Sequence, residues 1–498
     1  MIASPPGVAR RGLRPLSGAA ALLIVAALPR LAIAEAPGAD RLGLVNKGLV
    51  AVAQMPADRR DRFGETTING SGMAVDLQSW KRTEQGYRGL VYLLPDRGWN
   101  TTGTIDYRPR LHKMSVAISP AAAGTKPGPA VAETVEMTPT DTILLTDPDG
   151  QPLTGLDPIG VRPAASGFPD LPQAENGHIS LDPEAVALLS DGGFFISDEY
   201  GPYIYRFSAA GRLVGAIRPP EAFIPQRQGR QNFSSNNPGP GAAAPVPPDP
   251  ETGRQNNQGF EGMTLSPDGR TLAVILQSAT RQDGGASPAT RRYTRMLFYD
   301  VADLEHPRLV REHVVPLPVF QTADNERRIA AQSELLALGA HHFLLLCRDS
   351  GNGYGLPSAA SLYRRIELLD TSQASNIAGS PYDATTSVAP EGKLVDGITP
   401  ATLSPFIDLN DNAELARFGL HNGEPNDRTN LSEKWEGMGL APAFDPAHPR
   451  DFFLLVSNDN DFITQNGFQA GAAYKDPSGV DIATMLLVYR VTLPEFGK

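Results

Sequence analysis

The sequence predicts an all-β fold: a single closed β-propeller of four-stranded blades. Three observations point there. Helical periodicity is scarce, and short apolar runs recur between turn signals in a chain with 49 Gly and 45 Pro. The runs repeat in a fixed order. Three repeats open on nearly the same tripeptide, Ser71-Gly72-Met73, Glu261-Gly262-Met263 and Glu436-Gly437-Met438.

The clearest unit begins with a short strand at Glu261–Leu265. Ser266-Pro267-Asp268-Gly269 then makes a turn, because Pro presets φ and Gly accepts φ > 0. Strands are expected over Thr271–Gln277, Arg295–Val301 and Leu309–Leu317. Four antiparallel strands, innermost to outermost, make one blade. The same order recurs from Glu436, from Glu334, from His178 and from Ser71, giving five readable units, with room for a sixth or seventh. The unit from Glu436 lacks a fourth strand of its own. The early run Leu42–Val52 is expected to supply it and close the ring, since closure removes exposed sheet edges.

Residues 1–34 read as a signal peptide. Arg10, Arg11 and Arg14 form a positive start, Gly18–Leu28 is small or apolar, and Ala32-Ile33-Ala34 is a small-x-small cleavage pattern. The arginine pair leaves Sec and twin-arginine export both open. Residues 35–498 then form the propeller, with insertions at 219–258 and 370–390. The first is rich in Pro, Gly, Asn and Gln and leads into Glu261, so it is expected to be mobile and to lie near the channel mouth. No second apolar run approaches membrane length. The expected location is therefore periplasmic or extracellular, with no membrane insertion once the leader is cut.

The chain carries a net charge of −11, and loss of the leader's four arginines leaves it more acidic. That sign repels nucleic acid and suits divalent cations. The single cysteine, Cys347, excludes internal disulfides and lies in an apolar run, so it is expected in the core. No Gly-x-Ser-x-Gly elbow, Walker loop or dinucleotide fingerprint occurs.

In a blade, the start of the first strand and the end of the second lie at one end of the channel. Glu261, Glu334 and Glu436 open first strands. Asp96, Asp198, Glu199, Asp349 and Asp459 follow second strands, with Arg97 and Arg348 among them. Crowded carboxylates need arginines or a bound cation to stay ionised. Oxygen-only donors select hard cations such as Ca²⁺. The same residues could instead brace neighbouring blades, since Asp and Asn also close turns. His178 is the one histidine expected at the start of an inner strand.

Asn257-Gln258-Gly259-Phe260-Glu261-Gly262-Met263, Ser197-Asp198-Glu199-Tyr200-Gly201-Pro202 and Lys434-Trp435-Glu436-Gly437-Met438 resemble the phytase-like propeller family, described as "esterase-like activity of phytase". The resemblance runs from about Leu42 to Pro494 and implies a propeller hydrolase. On this reading Glu261, Glu436, Asp198 and Asp459 hold one Ca²⁺, which activates a water against a phosphoester or related ester. Glu199 or Glu334 takes the proton of that water, and Arg97 and Arg348 steady the developing negative charge. Two arginines among so many acids do not make the basic lining that phytate would need. A lactonase-type propeller and a non-catalytic ligand- or protein-binding propeller are the alternatives.

Overall fold

The computed structural model describes residues 42–67, 70–121, 134–494 and 496–497. The expected leader lies outside the described residues. Five four-stranded antiparallel sheets are arranged as the blades of a propeller. Blade 1 comprises Gly72–Thr83, Gly86–Leu94, Arg110–Ile118 and Val135–Leu144. Blade 2 comprises Pro183–Leu188, Phe194–Asp198, Ile204–Phe207 and Leu213–Ile217. Blade 3 runs through Phe260–Leu265, Thr271–Leu276, Tyr293–Asp300 and Arg308–Pro316, and blade 4 through Ala331–Ala337, His342–Arg348, Arg364–Asp370 and Thr402–Asp408. Blade 5 takes Trp435–Pro442, Asp451–Asn458 and Thr484–Thr492 from the end of the chain, and Val45–Met55 from its beginning. The early strand therefore closes the ring as the sequence predicts, pairing Val52 with Leu487 and Ala53 with Leu486. Five units are the whole ring.

Each innermost strand packs on the innermost strands of both neighbouring blades. The repeated glycine follows from that crowding. A Cβ on Gly262 would stand 2.7 Å from the backbone nitrogen of Leu335, on the next blade. The remaining core lies between blades. Leu344, Leu346, Ile366 and Leu368 of blade 4 pack with Trp435, Met438, Leu454 and Val456 of blade 5. Cys347 is buried, as expected.

Two expectations are corrected. The inner strand of blade 2 is Pro183–Leu188, not His178–Leu181. His178 is half-buried in the segment before it, beyond a turn in which Asn176 accepts its amide. The 219–258 insertion is a folded strap: Phe223, Ile224 and Phe233 are buried in the core clusters, Asp157 accepts from Ser234 and Ser235, and two arginines bind its carbonyls. The Arg254 guanidinium, fully buried, donates to the carbonyls of Tyr200, Phe233 and Gln255. Arg227 donates to the carbonyls of Asn232, Pro247 and Pro248. The 370–390 insertion is likewise tied down: Ser387 and the Val388 amide bond Asp283, whose other oxygen holds Arg295 at 2.8 Å.

Candidate functional site

A β-bulge marks the mouth end of four inner strands. The register slips between Phe260 and Met263, between Trp435 and Gly437, and between Pro183 and Val186. A bulge re-aims the side chain it carries, and each of these carries a glutamate: Glu261, Glu436 and Glu184. Blade 4 slips between Gln332 and Glu334, so Ser333 takes the corresponding place.

The re-aimed glutamates line a cavity of about 370 Å³ at the channel mouth. Its wall carries Asp96, Asp182, Glu184, Glu199, Glu261, Glu433, Glu436 and Asp461, with three cations, Arg97, Arg348 and Lys434. Asn256, Asn257 and Gln258 come from the end of the strap, which does lie at the mouth. No histidine lines the cavity among the described residues.

The carboxylates fall into two groups of different electrical character. Asp96, Asp459 and Asp461 can place one oxygen each within 4.8 Å of one another. Lys434 Nζ stands against them, 2.9 Å from Asp461, 3.5 Å from Asp459 and 3.9 Å from Asp96. It is also 3.5 Å from Glu436, whose other oxygen meets Arg348 at 2.5 Å. This half of the cavity already contains its cations.

Asp182, Glu184 and Glu199 form the second group, again within 4.8 Å. Arg97 takes Asp182 at 2.7 Å. The Gly259 amide donates to Glu199 Oε1 at 3.2 Å, and a side chain at Gly259 would collide with the Glu199 backbone. Glu199 Oε2 is buried without a partner. Glu184 is 6% exposed, and its side chain makes no hydrogen bond or ion pair among the described residues. Next to it, Glu261 receives Gln277 on one oxygen and nothing on the other. Burial pushes Asp182 up to about 7, with Arg97 opposing. Burial, then repulsion from Glu261 and Glu199, pushes Glu184 far above the carboxylate range. Glu261 rises likewise by burial and by repulsion from Glu199 and Glu436. An oxygen-only group with excess charge and unpartnered oxygens has the donor chemistry for a hard divalent cation.

The structure places Glu261, Glu436, Glu199, Arg97 and Arg348 around one cavity, but not all eight sequence candidates. Asp198 is spent on backbone: it accepts the amides of Asp182, Tyr200 and Gly201 at 2.9, 3.2 and 2.7 Å. Glu334 lies one residue past its blade's bulge. It accepts the Leu335 amide at 2.8 Å and lines a separate, mostly apolar cavity of about 220 Å³ with Met73, Met263 and Met438. Asp459 accepts the Ser71 hydroxyl and the Asp461 amide and faces Lys434. Asp349 accepts from Ser361, Leu362 and Asn352. The sequence reading missed Glu184, Asp182, Glu433 and the role of Lys434. Glu184-Ala185-Val186-Ala187-Leu188 repeats the Glu-small-apolar pattern of Glu261–Leu265 and could have revealed the first.

Fold and site together define a five-bladed propeller with an acidic, carboxylate-built mouth cavity. The chain belongs to the phytase-like family, "esterase-like activity of phytase", which matches residues 83–462. It is 40% identical over 456 residues to an "uncharacterized secreted protein" of Arthroderma benhamiae, covering 84% of this chain and 88% of that protein. Among solved structures it is similar to the WD40 domain of Toxoplasma gondii coronin, at 8% identity and TM-score 0.29, covering 91% of this chain and 87% of that one. It is also similar to virginiamycin B lyase from Staphylococcus aureus, at 9% identity and TM-score 0.25, covering 89% and 99%.

Proposed function

We propose that the protein is an exported, divalent-cation-dependent hydrolase of a phosphoester or related ester, acting in the mouth cavity. One observation carries the reading: Asp182, Glu184 and Glu199 converge within 4.8 Å, and Glu184 makes no ion pair among the described residues. These three residues, with Glu261 beside them, replace Glu436, Asp198 and Asp459 as the candidate Ca²⁺ ligands. A bound Ca²⁺ would supply Lewis acidity and make a coordinated water more acidic. The unpartnered oxygen of Glu261 is placed to accept a proton within the same cavity. Arg97, Arg348 and Lys434 face the cavity as the groups that steady negative charge on the reacting ester. Each of the three is already paired with a carboxylate. The cavity therefore suits a neutral or singly anionic ester rather than a polyphosphate.

Export rests on the leader pattern of residues 1–34 and on the relative described as secreted. No helix among the described residues is long and apolar enough to cross a membrane. The test is metal analysis of the purified protein, followed by a panel of phosphoesters and lactones with and without chelator. Chelator-sensitive turnover supports the proposal. Stabilisation by Ca²⁺ with no turnover on the panel replaces it with a ligand-binding role.

A further inference from the structure

Blade 4 presents a column of side chains to blade 5. Leu344 is paired with Leu368, Leu346 with Ile366, and next along the same ladder Arg348 with Arg364. Side chains two apart on a strand share a face. The first two pairs belong to the apolar interface with blade 5, so the arginine pair continues that face toward the mouth. Directly opposed side chains in a ladder are near neighbours, and like charges there repel.

Arg364 is 0% exposed, and its Nε, Nη1 and Nη2 all lack hydrogen-bond partners. Arg348 Nε is buried and unpartnered beside it. A guanidinium stays protonated in proteins, and an isolated charge in an apolar interior is very costly. The carboxylates whose fields reach Arg364 are Asp349, Glu433 and Asp408. None of the three touches the guanidinium. Asp349 accepts from Ser361, Leu362 and Asn352. Glu433 accepts the Gly351 amide and stands 3.9 Å from Arg348, and Asp408 pairs with Arg365 at 3.2 Å. Opposed arginines with buried, unpartnered N–H groups, and no acid in contact with Arg364 among the described residues, have the donors an anion needs.

We propose that Arg364 and Arg348 hold a small monovalent anion of chloride size between blades 4 and 5, behind the wall of the mouth cavity. The anion offsets the repulsion between the two arginines and lets Arg348 remain on Glu436. The site is independent of the divalent-cation reading, since it is built from cations and lies behind that wall.

The test uses the full chain. Thermal melts in sodium chloride and sodium bromide are compared with sodium gluconate at equal ionic strength, which holds general screening constant. A ligand that binds the native state raises the melting temperature. The halides are expected to raise it by about 2 °C or more over gluconate. Arg364→Met, which keeps the length and removes the charge, is expected to melt at the same temperature in all three salts. Crystals of the unaltered protein soaked in bromide are expected to show anomalous scattering beside the Arg364 guanidinium. Equal salt responses in both proteins, or water in place of bromide at Arg364, would overturn the proposal. The bromide soak decides the matter even if Arg364→Met does not fold.

Discussion

Arg348 Nη2 stands 2.5 Å from Glu436 Oε1, with both side chains buried. The pair argues against Glu436 as a member of the proposed cation-binding set, where blade position alone would put it. Glu436→Gln leaves the arginine buried without its carboxylate. Breaking one partner of a buried pair costs about 3–5 kcal/mol. The variant is expected to melt well below the parent in urea, while its response to Ca²⁺ persists. A variant as stable as the parent, or one that ignores Ca²⁺, would return Glu436 to the metal site.

The raised carboxyls give the cavity a pH signature. Burial lifts Asp182 and Asp96 to about 7, and lifts Glu184 and Glu261 far above their usual range. A carboxyl with a higher pKa folded than unfolded binds more protons in the folded state. Its contribution is intact below its ordinary pKa and is lost as the pH rises through the folded value. Each unit of displacement is worth about 1.4 kcal/mol per group. Chelated protein is therefore expected to lose stability steadily from pH 4 to pH 8. On the proposed reading, Ca²⁺ would require ionised ligands and displace those protons. The gap in melting temperature between Ca²⁺ and chelator should widen from pH 5 to pH 8. A gap independent of pH would show that these carboxylates do not bind the ion.

The propeller was legible because its repeats are local. Glu261–Leu265 and the strands after it lie within a few residues of their predicted places, and the missing fourth strand of the last unit pointed to the early run that closes the ring. The site was only half legible. Glu334 and Glu261 look alike in sequence, but the bulge in blade 4 falls on Ser333, and this one-residue offset sends Glu334 into the apolar channel. The sequence puts the inner strand of blade 2 at His178–Leu181, but it forms instead at Pro183–Leu188, which hid Glu184 at its start. Lys434 opens the Lys434–Met438 string, but nothing in that string reveals the carboxylates it meets. Its four carboxylates come from Asp96, Glu436, Asp459 and Asp461, and only the closed ring brings Asp96 to it.

The strap depends on Arg254. Its guanidinium ties the strap to the Tyr200 carbonyl, next to Glu199, through contacts of 3.1 and 2.8 Å. Hydrogen bonds to a charged group contribute about 1.5–3 kcal/mol each. Arg254→Met is expected to cost about 3 kcal/mol and to open residues 226–258 to limited proteolysis while the blades stay folded. Unchanged protease resistance would mean that Arg227, Asp157 and the buried Phe233 secure the strap without it.

Glu184 gives the sharpest test of the cation site. It has no hydrogen bond and no ion pair to lose, so Glu184→Gln breaks no contact. Burial, then repulsion from Glu261, Glu199 and Asp182, disfavours the ionised form of Glu184. Without metal, glutamine avoids the cost of burying an ionisable carboxyl there, so the variant is expected to be at least as stable as the parent. With Ca²⁺ the order reverses, because a hard cation is held by formal charge and oxygen count together. Glu261→Gln should behave in the same direction, softened by its existing bond to Gln277. Thermal melts of both variants and the parent, with Ca²⁺ and with chelator, check the crossing. If either glutamine protein is destabilised equally in both conditions, that glutamate braces the ring. If both keep the parent's Ca²⁺ shift, the ion does not bind at Asp182, Glu184 and Glu199.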